Sequence, residues 1–261
     1  MNDRGFALLA VLWVLTALTA LTSAGMIVAR VGGQTTRNRV LLARAEWARE
    51  ACGEILKARF ARNPAIRALD SIDLGRGTWC RASLGDPAAQ LNLNSARRDE
   101  LEQLVVTIRI PRGIADSIIA QRRQGMIHDI RQVRGLDSAE LHRLAQLLTT
   151  RGTGVVNVNA AHPEVLRLLP GMTEEAVRLI LNRRSNRPLQ SADELAAALS
   201  RSTRELLLRS YPEFIRSSVF TPQQLIAVLE GGVRGSSIVT RATLTTVPVS
   251  GRLAVIRRET E

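Results

Sequence analysis

The chain has 261 residues, and its 36 basic and 24 acidic side chains give a formal net charge of +12. This length suits one large domain or two small ones, and the hydrophobic fraction of 45% argues against disorder. Two cysteines exclude a disulfide scaffold and a four-thiolate zinc site, and the three histidines lie too far apart to show metal-ligand spacing. Aromatic residues are only 3% of the chain, which disfavours a base-stacking surface for single-stranded nucleic acid.

The positive charge is carried almost entirely by arginine, because Lys57 is the only lysine. A strong positive field attracts nucleic acid and anionic lipid. The arginines are nevertheless spread along the whole chain, as expected where arginine is the ordinary solvated cation of a GC-rich genome. Composition therefore leaves both interpretations open and selects no function.

The N-terminal part contains an uncharged stretch from Gly5 to Ala29. As a helix, its 25 residues would reach about 37 Å, enough to cross a hydrocarbon core of roughly 30 Å. Cleaved signal peptides have a shorter apolar region behind a basic start, so we predict a membrane span over residues 6–30. Arg30, Arg37 and Arg39 follow this span, and the positive-inside rule favours a cytoplasmic position for them, which leaves the orientation open.

Beyond the span, apolar residues recur every three or four positions, which indicates one face of a helix: Leu41, Ala45, Ala48, Cys52 and Ile55. The helix is expected to end at Asn63-Pro64, because proline disfavours helical geometry in the residue before it. The sequence therefore predicts a stalk helix of about 55 residues, half in lipid and half packed on a domain outside it.

The domain beyond the stalk is predicted to combine strands with a helical region. Residues 78–84 alternate, and the β-branched run 237–247 is followed by 252–257 after Pro248 and Gly251, which indicates a terminal hairpin. The fold class is therefore α+β, with the long helix on a small antiparallel sheet and a helical region inserted between its strands. We expect the chain to divide into residues 1–5, the span 6–30, the stalk and first strands 31–94, the helical insert 95–214, and the C-terminal strands 215–261.

The helical insert contains an internal duplication. Residues 91–96 (LNLNSA) resemble residues 156–161 (VNVNAA), and Arg122-Arg123 aligns with Arg183-Arg184 at a spacing of 61. We predict two copies of a four- or five-helix unit, at about residues 95–150 and 156–214.

The second copy resembles a helix-hairpin-helix (SAM-like) module, with Pro163 at a helix start and Pro170-Gly171 at the hairpin. Such modules bind phosphate through the backbone N–H groups of a hairpin with two glycines. Here Thr173 takes the place of the second glycine, and Glu174 and Glu175 would repel a phosphate. A structural role is therefore favoured over phosphate binding.

The N-terminal edge, Arg4-Gly5 followed by an apolar run, resembles the processing site of type IV prepilins. The resemblance implies cleavage after Gly5 and N-methylation of Phe6 by the prepilin peptidase. Most members of that family have a glutamate at the position of Ala10. Within the family, the K-type minor pseudopilin of type II secretion typically lacks this carboxylate, as suits a subunit at the end of a fibre.

The order of the parts also resembles the K-type minor pseudopilin over essentially the whole chain. This resemblance implies a single-pass protein of the bacterial inner membrane with its bulk in the periplasm. It implies that the protein caps the tip of the pseudopilus and helps initiate its assembly for export of folded proteins across the outer membrane. The implied partners are the I- and J-type minor pseudopilins, the prepilin peptidase, the inner-membrane secretion platform and membrane lipid.

Members of that family often bind calcium through an acidic stretch in the first helical unit. Here no acidic cluster follows Ile119, and hard cations need several oxygen ligands, so we predict no metal and no cofactor. Under this assignment Cys52 and Cys80 would both be periplasmic, which permits a disulfide between stalk and first strand. Two small buried apolar side chains are the alternative interpretation.

The sequence also bears on two other classes of function. The net charge of +12 and the hairpin module favour a membrane-anchored helix-hairpin-helix DNA receptor of the competence type, whereas Thr173 and the two glutamates after it oppose nucleic-acid binding. An enzyme is not predicted, because the sequence shows no catalytic triad, metal-spaced carboxylates or phosphate-binding loop. Asp70 and Asp73 are expected on a loop, as solvated turn residues.

Overall fold

The computed structural model describes the backbone of residues 3–260 and the side chains of residues 11–260, and it has the predicted α+β fold. The helices are α1 (Asp3–Arg62), α2 (Arg98–Thr107), α3 (Gly113–Gln124), α4 (Ser138–Leu147), α5 (Pro163–Leu166), α6 (Glu174–Arg183), α7 (Ala192–Ala198), α8 (Arg201–Arg209) and α9 (Tyr211–Ser217). The strands are β1 (Ala68–Gly75), β2 (Thr78–Gly85), β3 (Leu91–Asn92), β4 (Leu148–Thr149), β5 (Val156–Asn157), β6 (Ser218–Val219), β7 (Leu225–Val233), β8 (Val239–Val249) and β9 (Arg252–Thr260).

Helix α1 is continuous over 60 residues and ends just before Asn63-Pro64, as predicted. Its residues 11–40 are exposed on all sides, and burial begins where the helix meets the sheet. The buried residues there follow the helical spacing of three or four: Ala45, Ala48, Cys52, Leu56 and Phe60. One helix therefore has an exposed apolar N-terminal half, and its C-terminal half contributes one side of a hydrophobic core.

The main sheet has five strands in the order β1-β2-β7-β8-β9, and every neighbouring pair is antiparallel. Strand β2 alternates as predicted: Cys80, Ala82 and Leu84 face α1, whereas Arg81 and Ser83 are exposed on the other face. The first strands and the terminal hairpin thus share one sheet, and the insert enters the chain between β2 and β7.

The prediction that Asp70 and Asp73 lie on a loop is wrong, because both belong to strand β1. The pairing of β1 with β2 contains two irregularities, and these disturb the alternation that would have indicated a strand. The position of β1 at the sheet edge allows both carboxylates to face solvent. Asp73 accepts a hydrogen bond from the backbone N–H of Gly75 at 2.8 Å.

The described part of the chain has two separate hydrophobic cores. One lies between α1 and the five-stranded sheet, and the other fills the insert, and no buried residue is shared between them. An ion pair between Arg151 of the insert and Glu259 of β9, at 2.9 Å, bridges the two units. The insert therefore has a core of its own instead of extending the core under the sheet.

The two halves of the insert repeat the same hydrogen bonds. Asn94 bonds both the N–H and the C=O of Ile127, and Asn159 bonds the same two groups of Leu189. Each half also closes with a two-stranded parallel pair, β3 with β4 and β5 with β6. The duplication seen in the sequence is therefore a duplication of structure.

The alignment of arginines at a spacing of 61 is wrong by one residue. Arg122 donates to the carbonyl oxygen of Ala96 at 2.5 Å, and the equivalent bond to the carbonyl oxygen of Ala161, at 2.9 Å, comes from Arg184. The equivalent arginines are therefore 62 residues apart, whereas Ala96 and Ala161 are 65 apart. The second copy is shorter by three residues between these points, a stretch that includes the hairpin, and direct matching of the paired arginines missed this difference.

The closest approach between helix and sheet is at Gly231 of β7. A Cβ atom there would lie 2.3 Å from the carbonyl oxygen of Ala45 and 2.4 Å from the amide nitrogen of Arg49. Real Cβ atoms do not approach backbone this closely, so only glycine allows the contact. A few residues away, Gly53 of α1 faces Leu229, with 3.2 Å between its Cβ position and a Leu229 methyl carbon.

We predict that Gly231→Ala lowers the free energy of unfolding by about 1–3 kcal/mol, because the backbone of α1 or β7 must move to accommodate the methyl group. Chemical denaturation of the full chain in detergent measures this change. Gly85→Ala in β2 is the matched control, because its Cβ would meet its nearest atom, the carbonyl oxygen of Ile226, only at 4.0 Å. Equal stability of the two variants would contradict the close-contact explanation.

Candidate assembly surface

The N-terminal half of α1 presents large apolar side chains to its surroundings on every side. Trp13 is 74% exposed, Leu21 75% and Met26 71%. The helix is long and apolar enough to cross a membrane. The hydroxyl groups of Thr16 and Thr19 donate to carbonyl oxygens of the preceding turn, so they need no partner outside the helix.

The predicted processing residues, Gly5, Phe6 and Ala10, lie outside the residues whose side chains the structure describes. Cleavage after Gly5, methylation of Phe6 and the effect of the missing glutamate at Ala10 therefore stay predictions.

The direction of β7 determines on which side of the domain the insert lies. Leu229 packs against Gly53 of α1 and Gly231 packs against Ala45, which is earlier in the helix, so β7 runs antiparallel to α1. The turn after β7 lies beside residues 34–41, near the apolar half. The start of β7, where the insert joins the sheet, is consequently at the opposite pole of the domain.

Charged residues attach the terminal strand β9 to α1. The Arg258 guanidinium donates to both carboxylate oxygens of Glu50, and Arg49, which is nine-tenths buried, pairs with the same carboxylate at 3.1 Å. The hydrogen bond from Arg258 is the main cause that lowers the pKa of Glu50. This pair attaches the C-terminal strand to the part of α1 that packs on the sheet.

The sheet face opposite α1 contains one buried carboxylate. Glu230 of β7 lies between Arg81 of β2 and Arg241 of β8 and pairs with both. Hydrogen bonding from Arg81, then from Arg241, holds the pKa of Glu230 below its usual value. Arg81 also lies 5.9 Å from the ring centroid of Trp79, a cation–π contact.

Cys52 of α1 and Cys80 of β2 come together in the core between helix and sheet. Both are fully buried, and they lie close enough for each thiol to influence the pKa of the other. Burial raises the pKa of both thiols. The sulfurs are free in the structure, so the disulfide stays a prediction, but the two residues it requires are neighbours.

The hairpin of the second repeat, the candidate phosphate site, is covered by another helix. A Cβ at Gly171 would lie 3.0 Å from Cα of Leu207 and 3.1 Å from the carbonyl oxygen of Leu206, both in α8. Glu175 is turned to α8 as well, where it accepts from the N–H and the hydroxyl of Ser200 and from the hydroxyl of Thr203. This hairpin therefore holds α8 in place, and no phosphate reaches Gly171 without displacing that helix.

The first repeat forms the same turn without the Pro-Gly sequence. Arg109 adopts a left-handed backbone, φ 57°, at the position equivalent to Gly171, φ 70°. Only glycine adopts this conformation without strain, so the sequence carried no signal for a hairpin here. Arg143 of α4 donates to the carbonyl oxygen of Ile108 at 3.1 Å, and this bond ties the turn to the next helix.

Within residues 11–260, no group of three or more histidine, cysteine, aspartate or glutamate side chains is placed to hold a metal ion. The segment after Ile119 contributes Arg122, Arg123 and Met126 to a surface cleft. These residues offer no oxygen ligands for calcium.

The fold is similar to that of a chain in the crystal structure of the GspK-GspI-GspJ complex from the enterotoxigenic Escherichia coli type 2 secretion system. The similarity covers 89% of this chain and 99% of that chain, with a TM-score of 0.64 and a sequence identity of 14%. At this identity the comparison establishes a shared fold. No family model matches the sequence, and no curated protein matches it.

We predict that Cys52 and Cys80 form a disulfide when the protein is recovered from cells without reductant, because the two buried cysteines lie next to each other in the core and the periplasmic location implied by the resemblance permits oxidation. Intact mass spectrometry should show a mass lower by two hydrogen atoms than that of the Cys80→Ser variant after correction for the substitution. Alkylation of either thiol by a maleimide in the unfolded, unreduced protein would contradict the bond.

The carboxylate of Glu175 predicts a pH-dependent stability of the insert. Its hydrogen bonds from Thr203 and Ser200 lower its pKa to about 2, from an ordinary value of 4.5. Because the folded-state pKa is depressed, the stabilisation is present above about pH 4.5 and is lost as the pH falls toward 2. Glu175→Gln should therefore show a smaller fall in Tm between pH 6 and pH 3 than the unmodified protein, as measured by thermal denaturation. Glu205→Gln in α8, an exposed partner of Arg201, is the control and should leave the slope unchanged.

Proposed function

We propose that this chain is the K-type minor pseudopilin of a type II secretion system, a structural subunit that caps the tip of the pseudopilus and helps initiate its assembly. The observation that carries the proposal is the arrangement of parts: one exposed apolar helix continues into a sheet, and a duplicated helical insert divides that sheet. The GspK-GspI-GspJ structure shares this fold over 89% of the chain.

The position of the insert supports a place at the tip. In a fibre whose subunits pack through their apolar helices, later subunits join from the membrane side. The insert lies at the pole of the domain away from the apolar half of α1, so it would project beyond the fibre end and leave the helix free. The absence of a glutamate at Ala10 supports the same place, because this subunit has no carboxylate to pair with the N-terminus of a subunit above it.

The proposed partners follow from this role. The I- and J-type minor pseudopilins would pack along the exposed half of α1, the prepilin peptidase would process Gly5, and the inner-membrane platform would receive the assembled tip. The span would place the chain in the inner membrane with residues 31–261 in the periplasm. The role requires no catalysis and no cofactor.

A DNA receptor of the competence type remains the alternative from the sequence, and the geometry of the insert does not favour it. The Gly171 hairpin packs on α8, and Glu174 pairs with Arg167 at 2.5 Å beside it. A carboxylate and a covering helix occupy the region where a phosphate would bind.

We predict that Gly5→Leu leaves an unprocessed chain that does not support secretion, because the peptidase of this family cleaves after a glycine. Mass spectrometry of the N-terminus and an exoprotein secretion assay measure the two effects. Gly25→Leu is the matched control, a glycine of the same helix with nothing within 4 Å of its Cβ position, and it should be processed normally. Normal secretion by Gly5→Leu, or a native chain that still begins at Met1, would overturn the proposed function.

A further inference from the structure

A polar cleft lies where the membrane span ends. It forms between α1 and the turn that joins β7 to β8, and its volume is about 370 Å³. Its polar walls comprise Gln34, Arg37 and Asn38 of α1 and Ser236 and Ser237 of the turn, and Ile238 adds an apolar patch. No carboxylate is among the described residues that line this cleft.

The distance of the cleft from the end of the apolar stretch matches the depth of the lipid headgroup layer. Arg30 is the first charged residue after the apolar stretch, and along a helix Arg37 lies about 10 Å beyond it. The headgroups extend roughly 5–8 Å beyond the hydrocarbon core. Side chains of a helix point toward its N-terminus, which here is the direction of the membrane, so the Arg37 guanidinium reaches back into that layer.

The charge of the adjacent helix matches an anionic ligand. No acidic residue occurs between Asp3 and Glu46, whereas four arginines follow the apolar stretch in this interval: Arg30, Arg37, Arg39 and Arg44. All four are exposed, and none of them pairs with a carboxylate within residues 11–260. Arginines without protein counterions beside a membrane have the phosphates of lipid as their nearest source of negative charge.

The cleft also offers hydrogen-bond donors. The Ser236 hydroxyl oxygen accepts from the N–H of Ile238 at 3.0 Å, so its hydrogen is available to donate. The exposed side chains of Ser237 and Asn38 add further donors. A phosphodiester oxygen held by Arg37 would meet these groups on the opposite wall, with Ile238 next to the glycerol part of a lipid.

We infer that this cleft binds the headgroup of an anionic phospholipid, with Arg37 on the phosphate and Ser236 and Ser237 as further donors. The inference rests on the proposed function for the orientation of the span. A lipid held between α1 and the β7–β8 turn fixes the depth of the span and the tilt of the domain above the membrane. It also compensates the arginines that the positive-inside rule disfavours on the periplasmic side.

The test uses the full chain in non-ionic detergent, with equal amounts of phosphatidylglycerol and phosphatidylcholine added. Native mass spectrometry counts the lipids that stay bound. We expect the unmodified protein to retain phosphatidylglycerol preferentially. Arg37→Gln should lower the ratio of bound phosphatidylglycerol to phosphatidylcholine about fivefold, the effect of one basic residue near an anionic surface. Ser236→Ala with Ser237→Ala, which leaves the charge intact, should also lower the ratio.

Arg44→Gln is the matched control, since Arg44 is exposed, lies seven residues further along α1 and is not part of the cleft. Its lipid ratio should equal that of the unmodified protein. An unchanged ratio in Arg37→Gln, or an equal fall in Arg44→Gln, would overturn the inference, and the second result would mean diffuse attraction by charge. The same spectra report the N-terminus, so an unprocessed chain refutes the proposed function separately from the lipid result.

Discussion

At Gly231 the backbone of β7 lies against the backbone of α1, and this contact fixes how the sheet sits on the helix. Because no Cβ intervenes, the sheet lies directly on the backbone of a helix that continues without a break into the apolar half of the chain. The contact thereby fixes the position of the sheet relative to the axis of that helix. The buried face of Ala45, Ala48 and Cys52 and the ion pair of Glu50 with Arg258 reinforce the same contact. In the proposed role, a rigid joint of this kind transmits the packing of the helices to the head of the subunit.

The insert follows a different principle, because it carries its own core and meets the sheet through few contacts. Its two halves repeat one pattern of hydrogen bonds. An asparagine side chain bonds a backbone segment about 30 residues later, and an arginine from the intervening helix bonds a backbone carbonyl oxygen at the start of the unit. A helical module with this independence adds bulk at one pole without disturbing the α1–sheet core. That separation explains how a small pilin-like sheet accommodates an insertion larger than itself.

The hairpins of the insert show how a motif associated with phosphate is used for packing. In the second copy α8 covers the glycine, and Glu175 binds the N-terminus of that helix. In the first copy Arg109 takes the left-handed position, and Arg143 binds the turn. In both copies, a backbone N–H just after the turn bonds within the chain, from Ile110 to Val105 in the first copy and from Met172 to Leu169 in the second. The positive charge of the protein is therefore not explained by phosphate binding at these hairpins, and Arg30, Arg37 and Arg39 carry part of it just beyond the apolar half of α1.

The long helix, its end before Pro64, strand β2, the terminal hairpin and the duplication could all be predicted from the amino-acid sequence, because each depends on a local period or a local chain breaker. The sequence also indicated the candidate processing residues Gly5 and Phe6. Four features became visible only in the folded chain: the strand character of Asp70 and Asp73, the equivalence of Arg122 with Arg184, the proximity of Cys52 to Cys80 and the cleft at Arg37. Each of these depends on residues that are distant along the chain or on a strained turn, and such contacts leave no periodic signal in the sequence.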